Sequence, residues 1–430
     1  MAVVNTFAQD DVDRAEPLTV DAAHARSRCA ALIDSMIGTV GLEIETHLVD
    51  LDAVADAVTW PRIEAVKEII GAVVERSSVT VEPGGQVELS GPPETGIVAA
   101  VARLRYESQG ARLALADHRL GLAHAGADPL RPSLRVNPRP RYRAMEQHFA
   151  ATGRAAAGSV MMNSTAALQV NLQAGPKRGW AARVARAHRF GPTLLALSAS
   201  SPWLHGRDVG WKSVRQRAWG HLDPRSCGPV PGCVADSAEA DDSLNPVVAW
   251  ADYAMRAPVA FVRSRQDVAA VGKPVSFEQW ASGAVRLGNR APTAADLDSH
   301  LSTLFPPVRL RGYLELRYLD MTAPRWWPAI AAVTTTLMDD AVAADMATEA
   351  TERAALRWTE AARYGLTDPV LADSARRCVA IAAERVPAEL SSAVADLAEL
   401  VESGRCPGDL LATRIGQVGL LGAFEELAYA

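Results

Sequence analysis

Residues 41–48 read Gly41-Leu42-Glu43-Ile44-Glu45-Thr46-His47-Leu48, and residues 82–91 read Glu82-Pro83-Gly84-Gly85-Gln86-Val87-Glu88-Leu89-Ser90-Gly91. Successive side chains of a strand point to opposite faces. In the first stretch, Glu43, Glu45 and His47 therefore share one face, and Leu42, Ile44 and Leu48 take the other. In the second, Pro-Gly-Gly marks a turn. Beyond it Gln86 and Glu88 oppose Val87 and Leu89. Two more segments carry the same pattern. From Thr165 to Gln173, Gln169 and Asn171 oppose Leu168, Val170 and Leu172. From Arg309 to Leu319, Arg309, Arg311, Tyr313, Glu315 and Arg317 oppose Leu310, Leu314, Leu316 and Tyr318.

Antiparallel strands ordinarily keep one wet face, but an ordinary wet face contains lysine. These four contain none. They hold carboxylates (Glu43, Glu45, Glu88, Glu315), amides (Gln86, Gln169, Asn171) and arginines (Arg311, Arg317). If the carboxylates converge, four like charges share one cleft and must take up protons or be neutralised by cations. Mg²⁺ suits such oxygen ligands and leaves positions for water and phosphate. Arginines on the same face grip phosphate or carboxylate bidentately. The expected chemistry is Mg²⁺-dependent phosphoryl transfer on a surface shared by the polar strand faces, with the apolar faces packed on helices, an α+β arrangement.

Composition excludes other classes. The chain has 430 residues, 49% hydrophobic and 22% charged, a globular balance. The net charge of −6 gives no general nucleic-acid footprint. No apolar run is long enough for a membrane span. Residues 1–14 turn acidic and lack an apolar signal core, so a cytoplasmic protein is expected. Cys29, Cys227, Cys233, Cys378 and Cys406 are odd in number and scattered, which fits neither a disulfide framework nor a zinc site. There is no GxxxxGK[ST] loop, no HExxH and no GxSxG. His47 is expected behind the metal ligands. His124, Trp219, Trp326 and Trp327 read as core, and Glu82 as either ligand or surface.

The chain divides into a lead-in with a helix around Val20–Ser35 (1–35), a mixed core (36–327) and a helical C-terminal portion packed on it (328–430). In that portion Pro328–Tyr364, Ala375–Ser403 and Asp409–Ala428 show helical apolar spacing. Long loops are expected at Asp128–Tyr142 and Leu222–Asn245.

With GxExE at Gly41–Glu45 and EPGGQVELSG at Glu82–Gly91, the chain resembles the plant-type glutamate–cysteine ligases. The likeness continues in order through Arg141-Tyr142-Arg143, Gln169-Val170-Asn171-Leu172, Ser201-Pro202, Ser213-Val214-Arg215…Trp219, His300-Leu301…Phe305-Pro306…Arg309, and Tyr313-Leu314-Glu315-Leu316-Arg317. It departs at Ala199-Ser200 and at Gln173. Composition and length resemble the actinobacterial branch, whose members make γ-glutamylcysteine for ergothioneine.

The resemblance implies a curved sheet cup similar to the glutamine synthetase catalytic domain, with helices outside. It implies ATP as co-substrate, two or three Mg²⁺ ions, and L-glutamate and L-cysteine as substrates. Glu43, Glu45, Glu88 and Glu315 are then metal ligands. Arg317 steadies the transferring phosphoryl group, and Arg215 grips glutamate or phosphate. Arg141 and Tyr142 stand at the substrate mouth, and Gln169, Asn171 and Arg311 make further substrate contacts. No nucleic-acid or membrane partner is expected, and a monomer or weak homodimer is. The residues leave two other readings open: a related carboxylate–amine ligase with another amine acceptor, and a guanidino-kinase-like phosphotransferase.

Overall fold

The structure is a computed structural model and describes residues 16–233, 245–264 and 267–429. Eight strands form one sheet, numbered here in chain order: β1 (Thr39–Asp50), β2 (Ser78–Val81), β3 (Val87–Ser90), β4 (Glu94–Thr95), β5 (Leu120–Ala123), β6 (Ala167–Gln173), β7 (Val308–Leu310) and β8 (Tyr313–Asp320). All pairings are antiparallel, in the order β7-β8-β6-β1-β3-β2, with β4 and β5 also paired to β1.

The register turns the sequence alternation into rows across the sheet. Arg309, Glu315, Asn171 and Gly41 form one row. Gln169, Glu43, Ser90 and Ser78 form the next, and Glu45, Glu88 and Thr80 another. Their backs carry Leu42, Ile44, Leu89, Leu168, Val170, Leu172, Leu314 and Leu316, all essentially inaccessible. Each such aliphatic side chain contributes about 1.5–3 kcal/mol by leaving water. The helices Gly96–Ala116, Trp180–Ser198 and Trp327–Asp339 pack on this face. No described helix is long and apolar enough to cross a membrane.

Several local expectations change. The segment from Arg309 to Leu319 is a hairpin, reversed at Arg311-Gly312, where Gly312 takes a φ of +80°. Its polar set survives because Arg309 and Glu315 face each other across the turn. The strand expected from Thr165 begins at Ala167 as β6, directly after the helix Ala155–Ser164. The long C-terminal helix breaks into Trp327–Asp339, Ala341–Ala350 and Trp358–Tyr364. Asp340 both ends the first and caps the second with its side chain on the Ala343 N–H. The Ala375–Ser403 run becomes Pro369–Ala383 and Ala388–Glu402, split at Pro387, which cannot continue a helix. The first helix is Val20–Ala31, and the last is Pro407–Tyr429, kinked at Gly419. Residues 1–15 and residues 234–244 of the 222–245 loop lie outside the described residues; the described part of that loop includes the short helix Pro224–Cys227.

Candidate active site

The polar rows line a cleft of about 930 Å³. Glu43, Glu45, Glu88 and Glu315 all reach it, as does Glu82 from the turn before β3. The turn is pinned by Gln86, whose Nε2 donates to the Thr165 carbonyl at 2.9 Å. Glu43 accepts from Asn171 Nδ2 at 2.7 Å. Glu45 accepts from the Ala167 N–H at 2.7 Å and from Gln169 Nε2 at 3.1 Å. Glu88 accepts from Thr80 and Ser90 hydroxyls at 3.0 and 2.8 Å.

Charge crowding shows in the proton affinities. Burial, then Glu88 and Glu315, push Glu43 up to about 7. Burial, then Glu88 and Glu45, push Glu82 up to about 8. Glu45 and Glu88 are also raised, burial being the main cause. Glu315 goes the other way. Burial would raise it, but Arg309 and Arg317 outweigh that and hold it at about 2. Arg309 grips Glu315 with two N–H groups, and Arg317 Nη1 lies 3.1 Å from it.

Beside these carboxylates the cleft is lined by cationic and aromatic side chains. Arg317 Nη1 also donates to Gln169 Oε1 at 2.6 Å. Arg215 is 2% exposed, and its Nη2 donates to the Arg317 carbonyl at 2.6 Å. Its Nε and Nη1 have no hydrogen-bond partner. Trp219, expected in the core, is half-buried in this lining. It forms an edge-on pair with Phe305 and lies 5.7 Å beneath the Arg215 guanidinium. One helical turn from Arg215, its ring follows that guanidinium into the cleft. Trp326 and Trp327 are core. Arg141 lines the cleft and donates to the Ser302 carbonyl at 3.0 Å, with Tyr142 beside it. Arg311 sits exposed at the rim. Asn171 lies one layer back, holding Glu43.

His47 does not enter the cleft. It is buried behind the Pro83–Gln86 turn against the Ala125 carbonyl, and burial lowers it to about 4. His124 is buried, as expected. The reading of residues overlooked Arg309 as a site residue, although it alternates with Glu315 and Arg317. It left Glu82 undecided, because a residue ahead of a turn carries no face.

The carboxylates suit a divalent cation, since raised proton affinity marks uncompensated negative charge. Among the described residues no three His, Cys, Asp or Glu side chains already form an ion cage.

The description of glutamate–cysteine ligase family 2 (GCS2) matches residues 39–425. The chain belongs to this family. Glutamate–cysteine ligase EgtA of Mycolicibacterium smegmatis is 48% identical over 410 residues, covering 95% of each chain. The protein of the same name from Mycobacterium tuberculosis is 46% identical over 431 residues, covering 99% of this chain and 98% of that one. The chloroplastic glutamate–cysteine ligase of Nicotiana tabacum is 28% identical over 330 residues, 73% of this chain and 61% of the plant protein. Among solved structures, the glutamate–cysteine ligase of Francisella tularensis in complex with AMP superimposes with a TM-score of 0.55 at 14% identity, over 93% of this family member and 88% of that chain. That likeness bears on the fold, an α+β arrangement of a large antiparallel sheet and helices.

Proposed function

We propose that this chain is an ATP- and Mg²⁺-dependent glutamate–cysteine ligase that makes γ-glutamylcysteine for ergothioneine biosynthesis. The observation that carries this reading is the 46–48% identity, nearly end to end, to ligases of that name. The cleft supports it: its carboxylates share the space with buried Arg215 and half-buried Arg317, each with an unpartnered N–H group.

A carboxylate is a poor electrophile and must be activated. One γ-carboxylate oxygen of glutamate attacks the γ-phosphorus of ATP, and ADP leaves with the bridging oxygen. The cysteine amine then attacks the γ-carbon of the resulting γ-glutamyl phosphate. Phosphate departs with the former carboxylate oxygen, and the amine loses a proton. Bound at Glu43, Glu45 and Glu88, with Glu82 beside them, two or three Mg²⁺ ions would neutralise phosphate charge. Arg317, fixed by Glu315 and Gln169, meets charge developing on the transferred group. Arg215 offers its free N–H groups to the same anion or to glutamate. Arg141, Tyr142 and Arg311 orient substrates at the mouth, and Gln169 and Asn171 hold Arg317 and Glu43 in place. As it stands, Glu315 anchors Arg309 and Arg317, and as a fourth metal ligand it would use the acceptor site these contacts leave free.

The enzyme is further assigned to the cytoplasm as a monomer or weak homodimer, with residues 36–327 as the catalytic core. Five free thiols, four of them buried, suit a reducing compartment. With [¹⁸O]-labelled γ-carboxylate, L-cysteine and Mg-ATP, one labelled oxygen should appear in phosphate for each dipeptide formed. Unlabelled phosphate alongside normal dipeptide would overturn the acyl-phosphate route. Turnover with another amine and none with cysteine would replace the acceptor.

A further inference from the structure

Asp320 closes β8 with no accessible surface and stands outside the lining of the acidic cleft. Its Oδ2 accepts from the Ser200 N–H at 3.0 Å and the Ser201 hydroxyl at 2.6 Å. Its Oδ1 accepts from the Ser213 hydroxyl at 2.8 Å. Arg215 Nη1 stands 3.9 Å from the same oxygen. Space for this carboxylate is made at Gly126, where an added Cβ would lie 2.6 Å from it.

These contacts converge on one short helix, Val214–Gly220, which carries both Arg215 and Trp219. Ser213 is its N-cap; its hydroxyl accepts from the Gln216 N–H while donating to Asp320. Ser201 Oγ accepts from the Arg215 N–H at 3.3 Å while donating to Asp320. Two further bonds tie the helix to β8: Gln216 Nε2 to the Tyr318 carbonyl at 3.1 Å, and Arg215 Nη2 to the Arg317 carbonyl. A bulge between Leu316 and Leu319 interrupts the β8–β6 register beside these carbonyls, so the ladder alone does not fix them.

We infer that Asp320, with Ser201 and Ser213, is a positioning device that docks the Val214–Gly220 helix onto β8 and so sets Arg215 against Arg317 in the cleft. A buried carboxylate needs full satisfaction by hydrogen bonds or charge. Here three donors and a nearby guanidinium supply it, and two of the donors belong to the cap and the backbone contact of the helix that bears Arg215. Asp320 touches no substrate. It acts through Arg215, whose Nη1 lies within ion-pair reach of it and whose Nε and Nη1 have no hydrogen-bond partner.

This inference rests on the ligase reading for its kinetic arm only. Asp320→Asn keeps the shape and removes the charge, and Ser201→Ala removes one donor with little change of volume. Each is measured alone and in an Arg215→Lys background. In otherwise wild-type enzyme, each should lower kcat/KM for glutamate about tenfold or more. In the Arg215→Lys background the same change should cost less than twofold, because the target of the positioning has gone. Equal losses in both backgrounds would show a merely structural role and overturn the inference, as would no loss in either. Amide hydrogen exchange supplies an arm independent of activity. In Asp320→Asn or Ser201→Ala, amides of 214–220 should exchange at least fivefold faster, while those of β6 keep their wild-type rates. Unchanged exchange in the helix would overturn the docking role. A wild-type enzyme that makes no γ-glutamylcysteine would sink the ligase reading and leave the exchange result to decide the cage.

Discussion

Glu45 and Glu88 stand directly opposite one another across the β1–β3 ladder, on the same face of the sheet. Like charges in that position destabilise a sheet, and here Glu43 and Glu82 add to the repulsion. Stability does not explain the arrangement; the cation proposed for this cleft would.

Glu88→Gln should therefore separate folding from function. Metal-free stability should stay level or rise by about 1 kcal/mol, since a repulsive buried charge is removed. Turnover at low Mg²⁺ should fall at least a hundredfold. Denaturant titration without metal and a steady-state assay over an Mg²⁺ series read the two effects. Wild-type turnover at low Mg²⁺ would place the metal elsewhere.

Arg317 is held from two sides, by Glu315 at 3.1 Å and by Gln169 Oε1 at 2.6 Å. A lysine keeps the charge but has no planar fork to satisfy both and still reach substrate. Arg317→Lys should lower kcat about a hundredfold, the scale of losing one preorganised donor. Nucleotide affinity should stay within about threefold. A parallel loss in ADP binding by calorimetry would make Arg317 a ground-state contact.

The alternation of polar and apolar residues in β1, β3, β6 and β8 was legible because period two is a local property of the chain. It gave the cup's inner face and placed Glu43, Glu45, Glu88 and Arg317 in one cleft. What eluded it depends on distant partners. Nothing around Asp320 announces that Ser201 and Ser213 will meet it, 119 and 107 residues away. Trp219 read as core because aromatic residues usually are, and only the docking of its helix turns it toward the cleft. The hairpin at Arg311-Gly312 hid inside the alternation because its reversal leaves Arg309 and Glu315 on one face. Cys227 and Cys233 are buried, and burial pushes both thiols up to about 12, in keeping with the unreactive role read from their spacing.

Glu82 gives a pH signature in metal-free protein. Its carboxyl is raised to about 8 in the fold, by burial first and then by Glu88 and Glu45, against an ordinary value of 4.5. Between those values the folded chain holds a proton that the unfolded chain has lost. The contribution of Glu82 to stability is therefore full below pH 4.5 and drains away as pH rises toward 8, by up to about 1.4 kcal/mol per unit. Glu82→Gln lacks this dependence. The stability of wild type minus that of Glu82→Gln should fall from pH 5 to pH 8. Buried histidines, lowered by burial, pull the opposite way as pH drops below 6.5, but they are common to both proteins and cancel. A difference flat with pH would show that Glu82 is ionised in the fold.

The turn that delivers Glu82 depends on two glycines for different reasons. At Gly84 an added Cβ would fall onto the backbone carbonyl of Asn163, at the end of the helix preceding β6. Neither side can yield, because Gln86 already ties the turn to the Thr165 carbonyl. At Gly85 the backbone takes a φ of +90°, and a Cβ would meet the Cδ1 of Ile63 at 2.9 Å, the mobile tip of a side chain. The first obstacle is backbone and the second is mostly conformational strain, about 1–2 kcal/mol for a non-glycine residue with positive φ. Gly84→Ala should therefore be the costlier change, at least about 2 kcal/mol, and should carry Glu82 and β3 away from β6. Activity should fall with it even at temperatures where the variant remains folded, because Glu82 and Glu88 flank the turn. Urea titration of the two alanine variants, with activity measured well below the midpoint, tests the order. If Gly85→Ala proved the more damaging, the strained φ and not the approach to Asn163 would be what fixes the acidic floor of the cleft.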